Sequence, residues 1–201
     1  MGLISDASTI FDAGSMSAGF GGSMVFIKKL TASGSATLSF VNGASGVVLD
    51  STYKEYLFTF KDIHPASSSE LQFQTSVNGG DAYGVALTST NFYAYHAEAD
   101  NAAAVTYYAG GDQVNGTAFQ RISRVHNDND DSTVGTLTLF NPSSTTFIKN
   151  YMSNINEKNQ SYSQNQFTNG YFNTTSAINA VQFKMASGNI DVGDICLYGI
   201  A

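Results

Sequence analysis

From Val25 onward apolar and polar residues alternate with a period of two, the signature of strands whose successive side chains face opposite sides of a pleated ribbon. Ala36, Leu38 and Phe40 alternate with Thr37 and Ser39; Tyr56, Phe58 and Phe60 share one face; Leu71, Phe73, Thr75 and Val77 stand opposite Gln72, Gln74 and Ser76. Asn78-Gly79-Gly80-Asp81 then supplies residues that tolerate positive φ, so a hairpin is expected there, leading into a strand over 83–88. Further strands are expected over 91–96, 104–108, 117–124, 134–140, 146–152, 179–185 and 194–200, each bounded by Gly, Asn, Asp, Ser or Pro. The polar stretch 154–166 reads either as a long exposed loop or as a short helical excursion. No segment shows a 3.6-residue stripe, a heptad or a longer repeat, which disfavours coiled coils, solenoids and propellers. The expectation is an all-β, antiparallel β-sandwich over 25–201, and a jelly roll suits the strand count better than an immunoglobulin-type sandwich.

Residues 1–24 differ from the rest. Small residues there are interspersed with single apolar ones, Phe11, Met16, Phe20 and Met24 among them, and Gly19-Phe20-Gly21-Gly22 is too flexible to build a core alone. This reads as an N-terminal attachment arm that orders in a groove of a neighbouring subunit, against the plainer reading of a floppy terminus.

Composition sharpens the picture. Only 12% of residues are charged while 42% are hydrophobic, about half the charged share of an ordinary soluble protein. Neutral polar residues must cover the surface, which suits protein contacts better than free diffusion. A net charge of −7 repels phosphate, so nucleic-acid binding by counterion release is not expected, and the Lys28-Lys29 pair reads as a solvated strand end. There is neither a leader-like start nor a run near the ~20 apolar residues that span a bilayer, so membrane insertion is not expected and synthesis is placed in a cytoplasm. Cys196, the single cysteine, reads as a buried small hydrophobe.

Catalytic signals are sparse. His64, His96 and His126 lack metal-site spacing, and no Gly-x-Ser-x-Gly elbow or phosphate loop is present. Neither catalytic residues nor a cofactor is expected. Asn127-Asp128-Asn129-Asp130-Asp131 makes Asp128, Asp130 and Asp131 a weak calcium candidate, but the glycine and glutamate of an EF-hand are missing and a solvated turn competes. Tyr93, Tyr95, Tyr107 and Tyr108 are candidates for surface binding of sugars or protein, the competing reading being core packing.

Several stretches carry a resemblance: 48–58, Asp62-Ile63-His64-Pro65-Ala66, Ser76-Val77-Asn78-Gly79-Gly80, Ala94-Tyr95-His96-Ala97-Glu98-Ala99-Asp100, 135–146, 183–191 and Leu197-Tyr198-Gly199-Ile200. Together they resemble a family of structural proteins of marine tailed phages, cyanophages in particular. The resemblance implies a virion location and a non-enzymatic structural role, a capsid decoration or tail appendage. Other virion proteins would be its partners, and a homotrimer is favoured at the level of the resemblance. The rival reading is a receptor-binding tail-fibre tip that recognises host surface glycans. A third, a polysaccharide depolymerase, would require a pair of carboxylates.

Overall fold

The computed structural model describes residues 23–201 and, ahead of them, the backbone of three short antiparallel strands, β1 (Leu3–Ser5), β2 (Ser8–Asp12) and β3 (Ser15–Met16). Half of the expected attachment arm, Phe20 included, therefore lies outside the described residues. Phe11 and Met16 are register partners between β2 and β3, while Met24 opens the next strand.

Twelve strands follow: β4 (Met24–Ser35), β5 (Leu38–Val41), β6 (Glu55–Pro65), β7 (Ser69–Ser76), β8 (Leu87–Ala97), β9 (Ala103–Tyr107), β10 (Gln120–Val125), β11 (Thr133–Phe140), β12 (Lys149–Asn159), β13 (Tyr162–Phe172), β14 (Ala180–Met185) and β15 (Ile190–Ile200). They form two antiparallel sheets packed face to face as a β-sandwich. The large sheet has eight strands in the order β4-β15-β6-β11-β12-β13-β8-β9, and the small sheet has four, β10-β7-β14-β5. The split is unequal, whereas a jelly roll shares eight strands between two Greek keys.

Alternation explains where the core sits. Phe58 and Phe60 on β6, Leu137 and Leu139 on β11, Tyr151 and Ile155 on β12 and Ile195 and Leu197 on β15 point inward from the large sheet and are buried. Phe40, Leu71, Phe73, Val181 and Phe183 meet them from the small sheet. Phe183 is the hub. Its ring lies 5.2 Å from Phe58, 5.3 Å from Phe60 and 6.2 Å from both Phe40 and Phe73, mostly edge to face as ring quadrupoles prefer.

Four expectations need correction. The turn at Asn78-Gly79-Gly80-Asp81 exists, with Gly79 and Gly80 at φ 77° and 90°, but it does not close a hairpin. β7 pairs instead with β10 and β14, and the chain leaves for the large sheet through a non-strand segment over 82–86. The strands expected over 83–88 and 91–96 are thus one strand, β8, beginning at Leu87. The stretch 154–166 is neither loop nor helix. It is the heart of the β12–β13 hairpin, turned at Gln160-Ser161, with Asn159 and Tyr162 as register partners. Its inward residues include Glu157, Gln164 and Gln166, so burial alternates strictly along β12 although hydropathy does not. Finally, Cys196 is half-buried and points away from the core, its neighbours Ile195 and Leu197 being the inward residues.

Candidate functional site

Two surfaces of the large sheet stand out, one on each face. The first is a cleft on the inner face. The small sheet ends at β10, so the inner face of β8, β9 and β13 extends beyond its cover. The loop over 108–119 folds back across one end of that strip: Ser89 N–H donates to the Gln113 carbonyl at 3.0 Å, and Asn91 Nδ2 to the Gly111 carbonyl at 3.3 Å. The two tyrosines further along β8, Tyr93 and Tyr95, remain half-exposed.

Around them gather Tyr108 and Tyr162. Ring centroids are 6.0 Å apart for Tyr93 and Tyr95, 6.1 Å for Tyr93 and Tyr108, and 5.7 Å for Tyr95 and Tyr162, which meet edge to face. The cleft, about 300 Å³, is completed by Arg124, His126, Asn159, Gln160 and Gln164. Three of the four candidate tyrosines are therefore brought into one cluster. Tyr107 is not, because it is the register partner of Phe92 on the outer face, where its hydroxyl donates to Asp112 and its pKa is raised by that bond.

The cleft's charges are ordered from below. Glu157, fully buried, accepts from the Arg124 backbone N–H at 2.7 Å, from Gln164 Nε2 at 2.6 Å and from the Ser123 hydroxyl. Burial pushes its carboxyl up to about 7, outweighing those donors and the positive charges of Arg121 and Arg124. Arg121 is committed elsewhere, 3.1 Å from Glu70 and with its guanidinium 4.5 Å from the centre of the Tyr108 ring. Arg124 enters no ion pair among the described residues and lines the cleft from an exposed position.

The acidic loop behaves differently from a cation site. Lys158 Nζ sits 2.5 Å from Asp131 and 3.2 Å from Asp130, so a lysine occupies the place of a metal, while Asp128 presents only its carbonyl to His64 at 3.3 Å. Among the described residues no group of three His, Cys, Asp or Glu side chains is placed to hold a metal ion. The three histidines lie apart, His64 near Asp191, His96 against Asp100 and His126 beside Ser68.

The second surface is the outer face of the large sheet. Register assembles it in rows. Phe26, Tyr198, Leu57, Thr138, Met152, Asn169 and Thr90 stand side by side across seven strands. The next row runs Lys29, Cys196, Thr59, Thr136, Asn154, Phe167, Phe92 and Tyr107. Lys29 is the one charge in the two rows, at the edge strand. Phe26 and Met152 are each 57% exposed, and Val105, on the same face at the β9 edge, is 75% exposed. Phe92 and Phe167 stack at 5.0 Å, and a shallow groove of about 570 Å³ runs between Phe140, Met152 and Tyr171. No strand of the small sheet covers this face.

Comparison with family models, curated proteins and solved structures finds no match. The reading of function therefore rests on these surfaces and on the sequence.

Sequence reasoning missed Tyr162, Arg124, His126, Asn159, Gln160 and Gln164. Four of these six belong to the stretch 154–166 or its turn, where a polar inner face hid the strand pattern. The outer rows were missed because they exist only once register is known.

Proposed function

We propose that this chain is a non-enzymatic structural subunit of a phage virion, a capsid decoration or tail appendage, that assembles through the outer face of its large sheet. One observation carries the reading: two adjacent, partly apolar rows across the outer face, with Lys29 at the edge strand as their one charge, that no strand of the small sheet covers. Contiguous exposed apolar surface of this kind marks protein contacts, and interface cores are depleted in charge in the same way. Sister subunits and neighbouring virion proteins are the proposed partners, a three-fold arrangement being favoured by the family resemblance, and the segment ahead of β4 is proposed as a tether.

The test is the mass and symmetry of the purified protein by light scattering and negative-stain microscopy, with immunolabelling of intact particles. A closed oligomer on the particle surface is expected. A monomer at every concentration that never labels a particle would overturn the assembly role, and release of reducing ends from host polysaccharide would overturn the non-enzymatic one.

The tyrosine cleft supports a second reading that is compatible with the first, a receptor-binding tip for host surface glycans. Aromatic walls with a few convergent polar groups are the usual construction of a small-ligand site. Binding of host polysaccharide to the purified chain, lost in Tyr95→Ala, is the expected outcome.

A further inference from the structure

Resting on that second reading, we infer that the cleft recognises a carboxylated sugar of an acidic surface polysaccharide, with Arg124 taking the carboxylate and Tyr95 and Tyr162 bracketing the ring. Three features of the site lead there.

The first is the commitment of its neighbours. The chain carries a net charge of −7, yet the charged side chain lining this cleft among the described residues is the cation Arg124, with His126 beside it. Arg121, close by, is neutralised by Glu70 and lies against Tyr108. Arg124 is left with its planar donor fork free among the described residues, and that fork matches a carboxylate in bidentate fashion.

The second is the aromatic geometry. Tyr95 and Tyr162 meet edge to face at 5.7 Å, forming a corner rather than a flat platform. A pyranose ring has an apolar C–H face and a polar rim, so a corner of two phenol rings holds the face and leaves the rim to the polar wall.

The third is that the polar wall is pre-set. Gln164 spends its amide nitrogen on Glu157 at 2.6 Å, which orients the side chain and leaves Oε1 as an acceptor for a sugar hydroxyl. Gln160 is held in turn, its backbone N–H donating to Asp131 at 3.0 Å. Such second contacts fix a site before the ligand arrives.

Isothermal titration calorimetry of the full chain tests this with two probes, a uronic-acid tetrasaccharide and the same tetrasaccharide with its carboxyl groups reduced to hydroxymethyls. The acidic probe is expected to bind about tenfold more tightly, a difference of one decade in Kd. Arg124→Gln, at an exposed position, is expected to keep the fold and make the two probes equal, and Tyr95→Ala to lose both. Tyr107→Ala, on the opposite face, is expected to change neither. Equal binding of both probes by the unaltered chain would overturn the carboxylate inference and leave glycan binding standing. Binding of neither would overturn both. Loss of binding in Tyr107→Ala would place the sugar on the outer face and overturn the cleft itself.

Discussion

The interior of the sandwich is built in two different ways. Under β5, β14 and β7 it is aromatic: Phe40, Phe58, Phe60, Phe73 and Phe183 interlock with no polar side chain among them. Toward β10, β13 and β8 it becomes a hydrogen-bonded seam. Ser89 donates to Gln120 Oε1 at 2.7 Å, Gln120 Nε2 to the Gly111 and Arg121 carbonyls at 2.7 Å, Asn91 Nδ2 to Thr168 at 3.0 Å, and Gln166 Nε2 to Asn91 Oδ1 at 3.2 Å. The first region is held by area removed from water and tolerates small shifts. The second is held by directional bonds, where losing one partner strands another in a dry place. The tyrosine cleft opens at the polar end, so the part of the fold that specifies geometry is the part that supports the candidate binding site.

Removing the aromatic hub tests the first half most severely. Phe183→Ala is expected to cost about 4 kcal/mol, the loss of a large buried ring plus the cavity it leaves. Urea unfolding at constant pH measures it, and a loss below about 1 kcal/mol would mean that the small sheet does not pack as described.

Glu157 gives the polar half a pH dependence that the aromatic half lacks. Its carboxyl lies at about 7 when folded, above its ordinary value of 4.5. Folding therefore favours the neutral form. The associated stability is complete below pH 4.5 and is lost as pH rises through 7. Melting scans at intervals from pH 5 to pH 8 are expected to show a decline worth about 2–3 kcal/mol. Glu157→Gln is expected to flatten it, and a profile of unchanged slope in that variant would assign the decline to another group.

A smaller effect separates bonding from packing in the seam. Asn91→Leu keeps the volume but leaves Gln166, Thr168 and the Gly111 carbonyl each short of a bond. The expected cost is about 1–3 kcal/mol, typical of stranded buried polar groups. The same change ought also to loosen the 108–119 loop, detectable as faster amide exchange at Gln113, whose backbone N–H donates to Ser89 Oγ. Unchanged stability would show that the seam is held by shape alone.

The same contrast governs how much could be read from the sequence. The aromatic half was legible, since Phe58 and Phe60 flank Thr59, Leu71 and Phe73 flank Gln72, and their inward faces are hydrophobic. The polar half was not. Along 154–166 both faces are largely polar, so only Ile155 and Tyr162 mark the inner side and a period of two has little to modulate. The turn at Gly79-Gly80 was recognised from its residues, but its partner was not, because turn chemistry fixes the bend and not which sheet receives the next strand. The candidate tyrosines were named without a face; Tyr107 and Tyr108 are adjacent, so one of them had to point away from the cleft.

The smallest effect on the fold is also the sharpest test of the assembly face. Met152 lies at the middle of the outer row, 57% exposed, with Thr138 and Asn169 as register partners. Since its side chain touches mostly solvent, Met152→Glu is expected to change unfolding stability by less than about 0.5 kcal/mol. An interface closed over that row would bury the new carboxylate without a partner charge, because its row holds no basic residue from Phe26 to Thr90. The oligomer is therefore expected to dissociate by light scattering at a melting temperature that hardly moves. An intact oligomer in Met152→Glu would take the centre of the outer face out of the interface and leave the edge strand β4 or the tether ahead of it to make the assembly.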